Sequence, residues 1–263
     1  MARIGVIGAG QMGLAMALRL HDAGHAVTVR DIDNTREALA AAGGAAIAPH
    51  PAALAARCEL LIVAVVDAAQ TSDVLFGADG AAAALPAGAT VMLCATIAPD
   101  DVEAAARRLA ALGLACIDAP MSGGPVRARD GTMSLMLACD PAVHERWQPV
   151  LAQLSAHRFR IGPRPGDAMR TKLVNNLLAA INLAGAAEAM ALAERLGLDP
   201  ALTLDVIAQS SGQSWIGLDR MRRVLAGDAS PQAAMALLAK DSGLALEAAR
   251  SAADGTPVGA AAA

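Results

Sequence analysis

Lys172 and Asn176 place an ammonium group and an amide in a run that is otherwise largely apolar, RTKLVNNLLAAINLAGAAEAM (residues 170–190). The two residues are four positions apart, so on a helix they share one face. An ammonium near a substrate oxygen can protonate the alkoxide that hydride transfer to a carbonyl creates, and a neutral lysine can take that proton in the reverse direction. Taken alone, however, the run favours a simpler interpretation, in which the lysine stem lies along an apolar surface and its charge stays in water.

GAGQMG (residues 8–13) fits the dinucleotide-binding pattern G-x-G-x-x-G. It directly follows a β-rich run, RIGVI (3–7), and opens a helix pattern that ends at Gly24. In this context the first glycine permits a tight turn, the second lets the backbone approach a pyrophosphate, and the third lets helix and strand pack closely. Because the N–H groups at the start of the helix can bind phosphates, the loop predicts a dinucleotide site.

Asp31 ends the second predicted strand, 18 residues after Gly13. This is near the spacing of about 20 residues expected for a carboxylate that binds the adenosine ribose hydroxyls. An acid at this position repels a 2′-phosphate, so NAD is favoured as the cofactor. Arg30 and Arg36 lie close enough in sequence to keep NADP possible.

Ser122, Gly123 and Gly124 form the centre of a second polar segment, DAPMSGGPVRARDGTMSLML (118–137). They supply one hydroxyl and a backbone that can approach a ligand closely. Successive N–H groups in such a loop suit a carboxylate. A plain glycine turn without a ligand is the alternative.

Strand-length apolar runs alternate with helix patterns over the first 162 residues, which predicts a parallel sheet built from βαβ units. The predicted strands are 3–7, 27–31, 45–48, 59–66, 89–96, 114–120, 134–139 and 157–162. A turn cluster, PRPG (163–166), precedes predicted helices at 167–196, 200–209, 214–226 and 231–253. We therefore expect an α/β fold, a doubly wound, mostly parallel Rossmann domain over 1–163, followed by an all-α domain over 164–263 for substrate and dimerisation. The last residues, GTPVGAAAA, are expected to be frayed or incomplete.

Composition restricts the classes of partner. The chain has 263 residues, 55% hydrophobic and 17% charged, so a sizeable core is expected and disorder is not. A net charge of −4 and an aromatic content of 2% argue against nucleic-acid binding. We expect no metal site, no membrane span and no signal peptide, and so a cytoplasmic protein. Four scattered cysteines fit buried thiols in a reducing compartment: Cys58, Cys94, Cys116 and Cys139.

Four motifs in order along nearly the whole chain make the sequence resemble the β-hydroxyacid dehydrogenase family, which includes hydroxyisobutyrate dehydrogenase and tartronate semialdehyde reductase. They are GAGQMG (8–13), DAPMSGG with GT (118–124, 131–132), Gly166 through KLVNN (172–176), and KDSGLAL (240–246). QSWIGLDRMRRVLAGD (213–228) looks most like the L-threonate dehydrogenase branch. The resemblance implies an NAD(P)-dependent enzyme that interconverts a small β-hydroxy acid and its semialdehyde or keto acid.

The resemblance also implies residue roles, with Lys172 as catalytic acid/base and Asn176 orienting the substrate. Ser122, Gly123 and Gly124 would hold the substrate carboxylate. The implied cofactor-binding residues are Gly8, Gly10, Gln11, Met12, Asp31, Val65, Val66, Thr96 and, from the helical domain, Lys240. Substrate specificity is expected from 121–127, 176–183 and 212–219, with Gln213, Ser214 and Trp215 as candidate contacts.

The sequence departs from the family pattern at a few positions, which concern substrate identity more than reaction type. Ala95 replaces a serine, Ala168 a glycine, Ala138-Cys139 a glycine pair, and Ser242 a leucine. The chain is about 30 residues shorter than a typical member, so the last helices are expected to be missing. The alternatives are an imine or ketone reductase on the same scaffold, which usually lacks the lysine, and a non-catalytic dinucleotide-binding protein. The long apolar helix favours a homodimer or homotetramer.

Overall fold

The computed structural model describes residues 1–228, 235–251 and 255–263. Its internal contacts divide the chain into two compact units, Met1–Lys172 and Leu173–Ala263. One long helix, Asp167–Arg195, crosses this division. The boundary at 163/164 expected from the sequence therefore remains a proposal about the domains.

The first unit is built on one sheet of nine strands. Its strands are β1 Arg3–Ile7, β2 Ala26–Arg30, β3 Ala46–Ile47, β4 Leu60–Val63, β5 Thr90–Leu93, β6 Ala115–Asp118, β7 Met121–Ser122, β8 Met133–Ala138 and β9 Ser155–Gly162. The order is β3-β2-β1-β4-β5-β6-β8-β7, and β9 pairs with β8. The six strands β1 to β6 are parallel, and β8 runs antiparallel to β6 and β7. This is the strand order 3-2-1-4-5-6 of a dinucleotide-binding sheet, extended at one edge.

Helices connect the parallel strands, as the sequence predicts. In the first unit they are α1 Gln11–Asp22, α2 Asn34–Ala42, α3 Pro51–Ala55, α4 Ala68–Phe76, α5 Pro99–Ala111, α6 Gly124–Asp130 and α7 Pro141–Leu154. They are followed by α8 Asp167–Arg195, α9 Pro200–Ala208, α10 Trp215–Leu225, α11 Met235–Ser251 and α12 Pro257–Ala262. Aspartates adjacent to α2, α4, α7 and α9 cap these helices by accepting N–H bonds within the next turn: Asp33, Asp67, Asp140 and Asp199.

The sheet separates two hydrophobic clusters. Successive residues of β4 enter opposite clusters, Leu60 and Ile62 on one side and Leu61 and Val63 on the other. All four are fully buried, which explains why this strand reads as a continuous apolar run rather than an alternating one.

Apolar side chains remain exposed on several helices that follow the sheet. Their exposed fractions range from 44% to 70%: Val174, Leu178, Leu192, Leu202, Val206, Trp215, Val224 and Leu225. By length and composition alone α8 could cross a bilayer, although long apolar helices of globular proteins meet the same criterion.

Two terminal expectations are affected by the structure. The expectation that GTPVGAAAA is frayed is wrong, because Pro257–Ala262 forms a short helix with proline in its first turn. The predicted helix 231–253 is present as Met235–Ser251, while 229–234 and 252–254 lie outside the described residues.

Candidate active site

The carboxyl ends of the parallel strands gather most of the predicted cofactor residues of the first unit. Gly8 follows β1, Val65 follows β4, Thr96 follows β5, and Asp118 ends β6. Since parallel strands end at the same edge of a sheet, these positions lie along one edge. Open α/β folds bind their ligands at this edge.

The glycine loop has the geometry that its sequence predicts. Gly8 has φ +91°, and its N–H donates to the Arg30 carbonyl at 2.9 Å, which ties the loop to β2. A side chain at Gly8 would come within 2.6 Å of the Ala64 carbonyl oxygen, and one at Gly13 would collide with the Gly8 carbonyl. A Cβ added to Gly10 meets no described atom within 4 Å, so a ligand can approach its backbone there. The loop and the first turn of α1 therefore fit a pyrophosphate.

Asp31 lies directly after β2 and faces the glycine loop. Its carboxylate accepts the Ala9 N–H with one oxygen and the Asp33 N–H, at 2.9 Å, with the other. Ile32, the next residue, is 90% exposed. A carboxylate fixed beside the glycine loop suits the ribose hydroxyls of a dinucleotide.

Both arginines near Asp31 are paired with carboxylates. The Arg30 Nη1 atom lies 2.7 Å from Glu37 Oε1 in a half-buried pair. The Arg36 Nε atom lies 3.9 Å from Asp33 Oδ2 in a more exposed pair. Each guanidinium is thus partly neutralised by an acid, Arg30 more closely than Arg36.

The Ser122 segment turns sharply from strand into helix. Ser122 pairs with Ser134 of β8 at the end of β7. Gly123 and Gly124 then have φ of +124° and +76°, a conformation that side chains rarely tolerate. Side-chain atoms of Arg127 lie 3.1 Å from where a Gly123 Cβ would stand, so a larger residue would also have to displace the arginine side chain. The backbone conformation of this turn therefore requires glycine at both positions.

Asp118 has a structural role that the sequence analysis did not assign. Its side chain is fully buried, and its Oδ2 atom accepts three backbone N–H bonds from the start of α8. The donors are Gly166 at 2.7 Å, Ala168 at 3.1 Å and Met169 at 3.2 Å. The sequence offers only a weak signal for this role, an aspartate at a strand's carboxyl end, because the helix start GDAMR has its own capping candidate in Asp167.

Burial dominates the electrostatics of this carboxyl. Desolvation raises the pKa of Asp118 to about 6, although the three N–H bonds act in the opposite direction. The Oδ1 atom is buried and has no hydrogen-bond partner among the described residues. Burial also raises the pKa values of the neighbouring thiols of Cys94, Cys116 and Cys139, so they are protonated and inert.

Lys172 and Asn176 lie one turn apart on α8, and both are almost completely buried, at 8% and 7% exposed. The simpler interpretation, a lysine whose charge stays in water, does not agree with this burial. Asn175 is exposed, as its rotation on the helix requires, and donates to Asn176 Oδ1 at 3.2 Å.

A carboxylate holds the amide of Asn176 within the second unit. Asn176 Nδ2 donates to Asp241 Oδ2 at 2.7 Å, and the other oxygen of Asp241 lies 2.9 Å from Lys240 Nζ. Ser242, a departure from the family pattern, is buried and donates to the Leu238 carbonyl at 2.8 Å, so its hydroxyl is satisfied within α11.

The remaining predicted residues differ in exposure. Gln11 and Val66 are exposed, whereas Met12, Val65 and Thr96 are half-buried. Of the predicted specificity residues, Ser214 caps α10 by accepting the Gly217 N–H at 3.2 Å, and Gln213 and Trp215 are exposed. Within the described residues no group of His, Cys, Asp and Glu could hold a metal ion.

Comparison with known proteins shows the family of the chain. Residues 3–162 match the family model of the NAD binding domain of 6-phosphogluconate dehydrogenase, and residues 166–263 match that of the NAD-binding domain of NADP-dependent 3-hydroxyisobutyrate dehydrogenase. The L-threonate dehydrogenase of Cupriavidus necator is 42% identical over 248 residues, which are 94% of this chain and 83% of that protein. The chain belongs to the β-hydroxyacid dehydrogenase family. It is an NAD(P)-dependent oxidoreductase.

Solved structures support this membership. The crystal structure of 3-hydroxyisobutyrate dehydrogenase from Salmonella typhimurium superimposes with a TM-score of 0.92 at 35% identity, covering 100% of this chain and 92% of that one. The imine reductase of Streptomyces aurantiacus is more distant, with a TM-score of 0.74 and 23% identity over 98% of this chain and 91% of that one. At this identity the imine reductase shows the fold alone.

Proposed function

We propose that the enzyme oxidises a small β-hydroxy acid of the L-threonate type with NAD, and that Lys172 is its general acid/base. The observation that carries the proposal is the burial of Lys172 on a helix whose first turn is bonded to the carboxyl end of β6. Similarity to an L-threonate dehydrogenase over most of the chain supports the choice of substrate.

Lys172 provides the proton transfer in this proposal. NAD, held by the glycine loop and Asp31, would supply the hydride acceptor for the carbinol carbon. Neutral lysine removes the hydroxyl proton during oxidation, and the ammonium returns it during reduction.

The Ser122 segment and Asn176 orient the substrate in this proposal. The Ser122 hydroxyl and the peptide groups at Gly123 and Gly124 bind the substrate carboxylate. Asn176 lies one turn from Lys172 on the same face of α8, so its amide is suited to hold the hydroxyl that Lys172 deprotonates. The residues proposed to bind the coenzyme are Gly8, Gly10, Gln11, Met12, Asp31, Val65, Val66 and Thr96. Lys240 of α11 is proposed to bind it as well.

NAD is the preferred coenzyme in this proposal. The Asp31 carboxylate accepts two ribose hydroxyls and repels a 2′-phosphate. The pairing of Arg30 with Glu37 partly neutralises the nearest cation, which makes it less favourable for phosphate binding.

The exposed apolar side chains of α8, α9 and α10 support an assembly of two or four copies. A second copy would cover them, whereas in a bilayer Lys172 and the neighbouring amides of α8 would be costly to bury. We propose accordingly that the enzyme is a cytoplasmic homodimer or homotetramer, with a substrate and oligomerisation domain over 164–263.

A substrate panel tests the function. L-threonate, D-glycerate, hydroxyisobutyrate and hydroxybutyrate are each assayed with NAD and with NADP at the absorbance of the reduced coenzyme. We expect the highest kcat/KM for L-threonate with NAD. Reduction of cyclic imines without oxidation of any hydroxy acid would favour the imine reductase alternative, and coenzyme binding without turnover would favour a non-catalytic protein.

A further inference from the structure

The start of α8 is held by a residue far from it in sequence. Of its first four N–H groups, Asp167 donates to the Arg164 carbonyl and Arg170 to the Gly166 carbonyl. The other two, Ala168 and Met169, donate to Asp118. Together with the Gly166 N–H, they give Asp118 Oδ2 three hydrogen bonds to accept. Every backbone N–H group in the first turn of α8 therefore has an acceptor.

This cap differs from the other aspartate caps of the chain. Asp199, for example, accepts the Leu202 N–H three residues later, so it fixes α9 only to its own connecting loop. Asp118 lies 48 to 51 positions before its donors and belongs to strand β6. A cap from a distant strand ties the first turn of the helix to the carboxyl end of β6, whereas a local cap ties it only to its own loop.

The two segments joined by this cap carry the proposed catalytic groups. Lys172 follows Met169 by three residues, within one helical turn, and Ser122 follows Asp118 by four residues. Resting on the proposed function, we infer that Asp118 is the positioning residue that holds the Lys172 amine in register with the carboxylate-binding segment at Ser122. The side chain of Asp118 does not touch the substrate, and it acts through the first turn of α8.

The surroundings of the cap leave little freedom for the first turn of α8 to take another position. Asp118 is 0% exposed, so no water can replace it without opening the core. Gly166, the first donor, has φ +99°, and a side chain added there would lie 3.0 Å from Arg170 Nη1 and 3.1 Å from Glu103. A change on either side of the cap is therefore expected to shift Lys172.

The test compares Asp118→Ala with Asp118→Asn and with the matched control Thr90→Val. Thr90 is equally buried and accepts a 2.8 Å bond from Trp147, but it lies at the amino end of β5, at the opposite edge of the sheet. We expect Asp118→Ala to lower kcat by roughly 10²-fold, since a displacement of about 1 Å has this effect, while KM and the Kd for NADH change by less than about threefold. Asparagine keeps an acceptor oxygen and should restore most of kcat.

The control variant separates positioning from stability. Thr90→Val should lower Tm but keep the wild-type kcat. If both Asp118→Ala and Thr90→Val lose stability but retain the wild-type kcat, Asp118 is only a structural residue and the inference fails. If Asp118→Ala does not fold, Gly166→Ala disturbs the same cap from the helix side, and it should show the same fall in kcat at constant KM.

A double variant distinguishes this inference from the proposed function. If Asp118 acts through Lys172, adding Asp118→Ala to Lys172→Ala should not reduce the residual turnover further. A further fall by the same factor as in the wild type would overturn the inference. If Lys172→Ala itself keeps the wild-type kcat, the proposed function fails instead. Faster amide exchange over 166–172 in Asp118→Ala would still report the loss of the cap, and unchanged exchange would contradict it.

Discussion

Asn176 donates its side-chain N–H to Asp241 at 2.7 Å, across 65 positions of sequence. Its carbonyl oxygen accepts from Asn175, so the amide is held at both ends. A carboxylate can only accept a hydrogen bond, which fixes the Asn176 amide with its nitrogen towards α11. The residue proposed to orient the substrate is thus itself oriented.

Asp241→Ala should release the Asn176 amide and lower kcat/KM by about tenfold or more, because a mobile amide no longer presents one orientation to the substrate. Steady-state kinetics with the best substrate measures this. Asp205→Asn removes an exposed carboxylate from α9 and is the control, with an expected wild-type rate. Equal kinetics in both variants would remove Asp241 from any role in the site.

Lys172→Ala should lower kcat by about 10²- to 10⁴-fold, the usual contribution of a general acid/base. Coenzyme binding should be unchanged, because the loop at Gly8 and Asp31, the residues proposed to bind the coenzyme, lie on other elements. NADH fluorescence titration and turnover are measured on the same preparation. Loss of NADH binding in parallel with turnover would show that the substitution damages the fold rather than the chemistry.

Ser122→Ala should mainly raise KM for carboxylate substrates, by about 10- to 100-fold, since a hydrogen bond to a charged group contributes about 1.5–3 kcal/mol. The matched comparison is the methyl ester of the same hydroxy acid, which lacks the charge. A response of the same size for acid and ester would argue against carboxylate anchoring by Ser122.

Coenzyme choice can be tested at the Arg30–Glu37 pair. Asp31→Ser combined with Glu37→Gln removes the acid that repels a 2′-phosphate and releases Arg30 from its 2.7 Å partner. The ratio of kcat/KM with NADP to that with NAD should rise by at least about tenfold, since like-charge contacts cost several kcal/mol. Glu59→Gln, which weakens an exposed pair with Arg3 at the other edge of the sheet, is the control. An unchanged ratio in the double variant would mean that the discrimination lies elsewhere.

The sequence predicts those features that depend on neighbouring residues. The strands β1, β4 and β5 are recognisable from continuous apolar runs because both faces of the sheet are covered. The glycine loop is recognisable because Gly8 and Gly13 are each required by a local close approach, to Ala64 and to the Gly8 carbonyl respectively. Asp31 follows from its spacing.

The features that the sequence does not predict depend on residues far apart. The Asp118 cap joins positions 48 to 51 apart, and the Asn176–Asp241 bond joins positions 65 apart. The spacing of apolar residues along a helix or strand gives no information about such distant pairs. The two-residue strand at Met121–Ser122 was also missed, because it exists only through its pairing with β8. In the tail, the helix signal of Pro257 was outweighed by a low-complexity composition.

The buried carboxyl of Asp118 should also make stability depend on pH. Burial raises its pKa from 3.8 to about 6, so between these values the folded chain holds a proton that the unfolded chain releases. Stability should therefore increase as pH falls from about 6 towards 4, by on the order of 3 kcal/mol for this group, and should be lost again as pH rises through 6. Asp118→Asn cannot titrate at this position. The difference in unfolding free energy between wild type and Asp118→Asn, measured in urea at pH 4.5 and 7, isolates the effect from that of other groups. If the wild type instead loses stability relative to Asp118→Asn as the pH falls, the three N–H bonds outweigh burial and the pKa of Asp118 is lowered.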